Sequence, residues 1–379
     1  MDESILSSAY VRIWLATFAI FLNFGIVLLA VPLYARDMLD ARDFAIGVAV
    51  GAASVSAVLL GPPSGRIGDW YGRRIVLVGG SALVLACSLA LLFEPSLAAL
   101  TVIRFVAGAG EAAFVVAAYT VVADLAPVSR RGEAMSVATV ASYGGLALGP
   151  ILSDLLIGDD RFRLAWAVAA VCAAVATGLA LSLGETRPAI EDVADRRLLP
   201  PRPALAPALV LLLALMGFGG FVAFAGLYAR ELGVRPGLLF ALFGGIVLLV
   251  RAFGRTIPDR LGPRTAASAA CTAIAAGLLV MAVWQQPAGV IAGAAVFAVG
   301  QSLAYPAITL LAITKTAPAE RSAAIGAVGA AVDAALGLGA LALGTASEVV
   351  GYAGAFGLAA GVAALGLAVL ARIGPTPAS

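Results

Sequence analysis

Several residue types that soluble enzymes use for chemistry are scarce or missing in this chain. It has no histidine, one lysine (Lys315) and three cysteines, and only 12% of its 379 residues are charged. The lack of histidine excludes a histidine metal cluster and a Ser-His-Asp triad. A net charge of +2 leaves no basic surface for nucleic acid. Cys87, Cys172 and Cys271 lie in separate apolar runs, which predicts core packing rather than a disulfide framework. We expect neither a metal nor a cofactor.

Apolar residues, by contrast, are in large excess. They make up 62% of the chain and give a mean hydropathy of +1.03, whereas soluble domains are about 45–50% apolar and about 25% charged. Runs of about 20 apolar residues each predict an all-α integral membrane protein with twelve transmembrane helices. The predicted spans are 10–34, 44–63, 75–93, 97–123, 134–157, 164–183, 204–229, 237–257, 266–284, 288–313, 322–345 and 352–371.

The distribution of arginine and lysine predicts the orientation of these spans. Loops on the side of the N-terminus carry 16 of these residues and loops on the opposite side carry 6. Cytoplasmic loops carry the excess of positive charge, so we expect both termini in the cytoplasm and the protein in the cell (inner) membrane. The first run is too long for the apolar region of a signal peptide and is therefore counted as a span.

The two halves of the chain resemble each other. Residues 33–37 at the end of the first span are echoed by 227–231, and 69–74 by 259–264, at offsets near 190 residues. A parallel repeat of this kind predicts two six-helix bundles related by a pseudo-two-fold axis. The predicted domains are a bundle at 1–183, a cytoplasmic linker at 184–203 and a bundle at 204–379.

Glycines, arginines and an aspartate are concentrated in residues 65–74, which are predicted to form a tight loop after the second span. This segment resembles the loop signature of the major facilitator superfamily, and the resemblance covers the whole chain. It implies that Asp69 caps the start of span eleven and pairs with arginine in the outward-facing state. The alternative is ordinary positive charge beside a span. The gating residues of the two copies are Gly65, Gly68, Asp69, Gly72, Arg73, Arg74, Asp259 and Arg264.

Two ionisable residues lie inside span four. Arg104 and Glu111 are seven residues apart and therefore share one face of a helix. The segment resembles a second motif of the superfamily, in which the arginine is associated with proton transfer. A charge inside a bilayer costs about 3 kcal/mol on insertion scales, so both residues are expected to face water or a partner. They form either a proton-coupling site or a buried structural ion pair.

Arg251 and Asp333 are the other charges placed inside the predicted spans. They lie at similar depths, so they are candidates for an interhelical ion pair, which would serve either structure or coupling. Because arginine stays charged and histidine is absent, a carboxylate is the best candidate to carry a proton. We therefore predict that Glu111 or Asp333 couples transport to protons.

Span five contains a motif that resembles one from the drug/proton antiporter branch of the superfamily. Gly145, Gly149 and Pro150 would give this span a bendable outer half, although Ser153 and Asp154 stand where the motif has two glycines. Uncharged polar residues within spans are candidates for the substrate cavity, and each is alternatively a helix–helix hydrogen-bonding residue. These candidates are Asn23, Tyr119, Tyr143, Gln301 and Tyr305.

The resemblance and the embedded carboxylates together predict a monomeric, proton-coupled secondary transporter that exports a small amphipathic organic molecule. Its partners are then the substrate, protons and the bilayer. Uptake or facilitated diffusion of a nutrient such as a sugar or an organic acid requires the same fold and stays open, and a non-transporting sensor is a third reading. The chain has no HExxH or Walker A motif, so an enzyme is not expected.

Overall fold

The computed structural model describes residues 7–127, 130–158, 161–186, 201–253, 261–317 and 320–373. All regular elements in these ranges are helices, and eleven of them are long and apolar enough to cross a membrane. Helices suit this composition because every backbone N–H and C=O group must be satisfied internally in lipid. The predicted all-helical, multi-pass membrane fold is therefore confirmed.

The helix boundaries follow ordinary start signals. The Ser7 side chain caps α1 by accepting a hydrogen bond from the Tyr10 N–H, and proline occupies one of the first two positions of α7, α9 and α10. The helices are α1 (Ser8–Asp37), α2 (Asp43–Tyr71), α3 (Arg73–Leu91), α4 (Leu97–Leu125), α5 (Arg131–Ile157), α6 (Phe162–Leu181), α7 (Arg202–Glu231), α8 (Pro236–Phe253), α9 (Pro263–Val283), α10 (Pro287–Thr314) and α11 (Arg321–Arg372).

The last helix differs from the prediction because α11 covers both of the last two predicted spans. Its 52 residues correspond to about 78 Å of helix, more than twice the thickness of the hydrocarbon core. The backbone leaves the helical conformation at Gly351 (φ 69°, ψ 174°), a region open to glycine. Two helical segments, 321–350 and 352–372, therefore flank this glycine.

The chain divides into two compact units. Unit 1 comprises Met1–Ala41 and Ala52–Asp192, and unit 2 comprises Arg42–Gly51 and Val193–Ser379. In unit 1, α1 packs against α5 and α6, and α3 packs against α4 and α6. In unit 2, α7 packs against α11, and α10 packs against α9 and α8. Most of the predicted linker at 184–203 lies outside the described residues.

A side-chain hydrogen bond recurs in both units at the same offset. The Arg74 guanidinium donates to the Leu181 carbonyl at 2.8 Å in unit 1, and the Arg264 guanidinium donates to the Ala371 carbonyl at 2.9 Å in unit 2. Both members of the pair are shifted by 190 residues. The internal repeat read from the sequence therefore extends to individual contacts, and it fixes the register between the units.

Aromatic clusters repeat as well. The hydroxyl groups of Tyr34 and Tyr228 each donate to a backbone carbonyl, and each ring packs against two aromatic side chains four residues apart on a later helix. Edge-to-face and tilted pairs of this kind stabilise a core beyond their buried area. The clusters are Tyr34 with Phe162 and Trp166, and Tyr228 with Tyr352 and Phe356.

Candidate functional site

The glycine-rich segment at residues 65–74 is mostly helical, which corrects the predicted ten-residue loop. Gly65 and Gly68 lie within α2, and the chain turns only at Gly72, where φ is 110°. A Cβ atom on Gly68 would lie 3.6 Å from Arg73 Nη1. The absence of a side chain at Gly68 thus makes room for the Arg73 guanidinium, and packing against it favours the helix over a loop.

Arg73 lies between two carboxylates at this end of unit 1. Its Nη1 atom donates to Asp69 Oδ1, and its Nε atom lies 3.6 Å from Asp124 Oδ2 on α4. The three side chains are only 15–19% exposed. Asp69 is therefore paired with an arginine, as the resemblance implies, and Asp124 adds a second carboxylate to the cluster.

Glu185 is a member of this cluster that the sequence analysis missed. Its two carboxylate oxygens accept hydrogen bonds from the backbone N–H groups of Arg73 (2.8 Å) and Arg74 (3.2 Å), at the start of α3. An anion at a helix N-terminus satisfies free N–H groups and complements the helix dipole. The next residue, Thr186, donates from its hydroxyl group to Asp124 Oδ2 at 3.3 Å. The chain that leaves α6 is therefore bound to both α3 and α4.

The predicted charge pair in span four is present. Arg104 Nη1 lies 3.3 Å from Glu111 Oε1, and both side chains are partly buried, with 13% and 21% exposed. The i, i+7 spacing places them on one face of α4, as expected. Within the described ranges, no group of three or more histidine, cysteine, aspartate or glutamate side chains could hold a metal ion.

The predicted pairing of Arg251 with Asp333 is wrong. α8, which carries Arg251, packs against α7 and α10, whereas α11, which carries Asp333, packs against α7, α9 and α10. Arg251 has another interaction, and the described residues include no hydrogen bond or ion pair to the Asp333 carboxylate. Similar depth along two helices does not make the helices neighbours, which is why the sequence argument failed here.

The polar candidates in unit 1 are engaged with neighbouring helices. Asn23 is 2% exposed, and its side-chain amide donates to Ser88 Oγ at 2.9 Å and to the Ala169 carbonyl at 2.7 Å. It joins three helices, so the helix–helix reading is favoured for this residue. The Tyr119 hydroxyl lies 2.8 Å from Ser142 Oγ, which links α4 to α5.

The polar candidates in unit 2 differ in this respect. Gln301 Oε1 and Thr309 Oγ1, both on α10, are buried and have no hydrogen-bond partner among the described residues. Tyr305, between them on the same helix, is 36% exposed. Tyr143 of unit 1 is partly buried and has an interaction of its own. Unpartnered buried polar atoms are rare and call for an explanation such as a ligand or water.

The glycines of the span-five motif form a close helix crossing in unit 1. A Cβ atom on Gly149 would lie 2.6 Å from the Gly25 carbonyl carbon of α1, and one on Gly145 would lie 2.7 Å from the Leu22 nitrogen. Pro150 is buried beside them within an uninterrupted α5. These residues therefore allow two helix backbones to touch, as small residues do in membrane helices.

An internally repeated bundle of apolar helices that carries embedded charges has the construction of a secondary transporter. A model of the Major Facilitator Superfamily matches residues 13–314. The chain belongs to this superfamily. It is 30% identical over 377 residues to an uncharacterized MFS-type transporter from Salmonella typhimurium, and the match covers 95% of both chains.

Solved structures agree at the level of the fold. A mutant of the nucleoside transporter NupG superposes with a TM-score of 0.84 at 12% identity, covering 97% of this chain and 100% of the other. The human organic anion transporter MFSD10 (TETRAN) superposes with a TM-score of 0.73 at 19% identity, covering 96% and 98%. The chain is therefore a multi-pass membrane protein and a secondary transporter, for which the family implies a small-molecule substrate.

Proposed function

We propose that this protein is a proton-coupled exporter of a small amphipathic organic molecule, of the drug/proton antiporter type. The observation that carries the proposal is the presence of two carboxylates in apolar helices, Glu111 and Asp333, in different electrostatic surroundings. Glu111 is held by Arg104 at 3.3 Å, whereas Asp333 has no cation bonded to it within the described residues. These are the groups in the spans best suited to exchange a proton.

The Arg104–Glu111 pair supplies a simple coupling device. The ion pair stabilises the charged carboxylate while the two groups are in contact. A conformational change that separates them leaves an isolated charge in an apolar helix, and binding a proton removes that charge. Proton binding to Glu111 is then linked to the conformation of the transporter.

The proposed substrate follows from the polar groups left over in unit 2. Gln301 Oε1 accepts hydrogen bonds, and the Thr309 hydroxyl group both donates and accepts them. Both lie on a helix of mostly apolar side chains, with the Tyr305 ring between them. A molecule with an apolar body and one or two neutral hydrogen-bonding groups suits this helix better than an ion does.

The proposed topology has twelve crossings, with α11 contributing two that are separated at Gly351, and both termini in the cytoplasm of the cell. Impermeant thiol reagents applied to whole cells test it. Cysteine at Val349, which is 81% exposed, or at the exposed Glu94 is expected to react from outside. Cysteine at Glu133 is expected to react only after permeabilisation. Equal labelling of all three would contradict the topology.

The gating role of Asp69 is part of the same proposal. Asp69→Asn keeps the size of the side chain and removes the charge that pairs with Arg73. Loss of a charge at a helix end is worth about 0.3–2 kcal/mol, enough to shift an equilibrium between outward-facing and inward-facing states. Transport is expected to fall while the protein still folds. Normal transport at normal expression would contradict this role.

Proteoliposomes with an imposed pH gradient test coupling and direction together, against a panel of compounds. An antiporter accumulates substrate in vesicles with an acidic lumen, and a proton symporter does so in vesicles with an acidic exterior. We expect the first result, with loss of accumulation but not of binding in Glu111→Gln or Asp333→Asn. If the single and double variants still respond to the gradient, these carboxylates do not couple transport to protons.

A further inference from the structure

Unit 2 contains a cavity lined by three cations. Its volume is about 630 Å³, and it opens where α7 begins and where α10 and α11 end. Arg202, Lys315 and Arg372 line it, and none of the described lining residues is acidic. Arg202 and Arg372 are exposed and form no ion pair or hydrogen bond with other described residues. The other lining residues are Pro203, Ala206, Thr314, Val369 and Ile373.

The internal repeat shows that this cationic cluster is an addition to the shared architecture. The register is fixed by the Arg74 and Arg264 hydrogen bonds, whose acceptors directly precede Ser182 and Arg372. At the offset of 190 residues, the three cations correspond to Arg12, Leu125 and Ser182 of unit 1. Two of the three charges therefore exist only in unit 2, although the surrounding helices pack in the same way.

The equivalent arginine in unit 1 already has partners. Arg12 Nη1 donates to the Ser182 carbonyl at 2.7 Å, and its Nε donates to the Ser8 carbonyl at 3.1 Å. In unit 2 the position of Ser182 is taken by Arg372, a second cation. The arrangement that satisfies Arg12 is therefore changed to one in which positive charges are gathered around a cavity.

The helix dipoles explain only part of this cluster. Lys315 and Arg372 lie at the C-terminal ends of α10 and α11, where a cation is favoured. Arg202 is the first residue of α7, where the dipole disfavours a cation. Three like charges at one cavity also repel one another. An anion bound in the cavity would satisfy all three groups.

We propose that this cavity binds a phosphate-bearing anion, and that the anion is the phosphodiester head group of a membrane lipid. Arginine and lysine are the side chains that bind phosphate, and arginine does so through two parallel hydrogen bonds. The apolar side chains of Ala206, Val369 and Ile373 in the lining suit the glycerol and first methylene groups of a lipid. In the orientation proposed above, this end of unit 2 faces the cytoplasmic leaflet. Basic clusters at that level bind anionic lipids.

Native mass spectrometry of the purified full-length protein tests the proposal with phosphatidylglycerol as the probe. A triple variant, Arg202→Gln, Lys315→Gln and Arg372→Gln, is expected to bind this lipid roughly a hundredfold more weakly, since each cation contributes about a factor of five to ten. The matched control is Arg12→Gln in unit 1, which is expected to leave binding unchanged. Unchanged binding by the triple variant would overturn the proposal.

Competing ligands separate the possible sources of the anion. Phosphatidylcholine is expected to bind more weakly than phosphatidylglycerol, and binding is expected to weaken as salt is raised. Displacement of the lipid by inorganic phosphate would keep the anion site but assign it to a free phosphate compound. Equal binding of both lipids at all salt concentrations would exclude an anion site. If the triple variant does not fold, Arg372→Gln alone is expected to weaken binding, and Arg372→Lys is expected to restore most of it.

Discussion

The two units use the same packing for different distributions of charge. The Arg74 bond of unit 1 and the Arg264 bond of unit 2 are equivalent in both partners and in length. The charge cluster around α3 has no such counterpart, because three of its members are replaced by uncharged residues at the offset of 190. The replaced pairs are Arg73 with Pro263, Asp124 with Thr314, and Glu185 with Pro375. Backbone shape is thus repeated, and charge is specific to each unit.

The embedded carboxylates follow the same pattern. Glu111 of unit 1 is equivalent to Gln301 of unit 2, and Asp333 of unit 2 is equivalent to Tyr143 of unit 1. Each unit therefore carries one carboxylate at a position where the other unit has a neutral polar residue. A repeat that keeps the fold can change these positions independently, since a charge inside a helix bundle alters binding more than it alters packing. The comparison separates residues that build the fold from candidates for function.

The largest expected effect comes from the close crossings that both units share. Gly149→Val places side-chain atoms within 2.6 Å of the α1 backbone, and Gly339→Val, its equivalent, places them within 2.9 Å of the Met216 carbonyl carbon of α7. Overpacking against a backbone costs 3 kcal/mol or more on an order-of-magnitude scale. Both variants are expected to lose their monodisperse peak in size-exclusion chromatography. Gly326→Val, with nothing within 4 Å of its Cβ position, is the control and is expected to stay monodisperse.

A smaller but asymmetric effect is expected at the turns before α3 and α9. Gly72 and Gly262 both have positive φ, 110° and 78°, so alanine costs roughly 1–2 kcal/mol at either position. At Gly72 a Cβ atom would also lie 2.8 Å from Glu185 Cδ and would displace the helix cap, whereas at Gly262 nothing lies within 4 Å. Gly72→Ala is therefore expected to lower the melting temperature more than Gly262→Ala. Equal losses would show that the Glu185 contact adds nothing.

The helix cap itself gives the next prediction. Glu185→Gln removes the charge at the start of α3, for which about 0.5–2 kcal/mol of stability is typical. Glu133→Gln is the control, because Glu133 forms an exposed pair with Arg130 and such pairs contribute little. We expect a lower melting temperature for the first variant only. An equal shift in both would mean that the cap does not stabilise unit 1.

Much of the fold could be predicted from the sequence because the signal is physical and local. Long apolar runs require helices in lipid, and the repeat aligns them at a single offset. The extension of α2 through Gly65 and Gly68 was missed, because glycine and charge at the end of a run normally indicate a loop. The helical turns that α11 forms before Gly351 were missed for the same reason, since polar residues there resemble a connection.

The site was less predictable because its contacts join distant parts of the chain. Arg104 and Glu111 were paired correctly, since one helix fixes their spacing. Arg251 and Asp333 were not, because depth in the membrane says nothing about which helices are neighbours. Glu185 lies just after a span in a mixed segment, and its hydrogen-bond partners are backbone N–H groups that carry no signal in the sequence. A carboxylate next to the arginine-rich start of another helix was the one available clue.

The smallest expected effect tests the repeat most directly. Arg74→Ala and Arg264→Ala each remove one hydrogen bond to a backbone carbonyl, of 2.8 Å and 2.9 Å, at equivalent positions. A single bond of this kind, from a charged donor near the surface, is worth about 0.5–1.5 kcal/mol. If packing is truly repeated, the two variants lower the melting temperature by similar amounts, and the double variant by their sum, because the sites are independent. Arg12→Ala is the comparison within unit 1, since it removes several bonds at once and is expected to have the larger effect. A clear difference between Arg74→Ala and Arg264→Ala, measured in the same detergent, would mean that equal geometry in the two units does not carry equal energy.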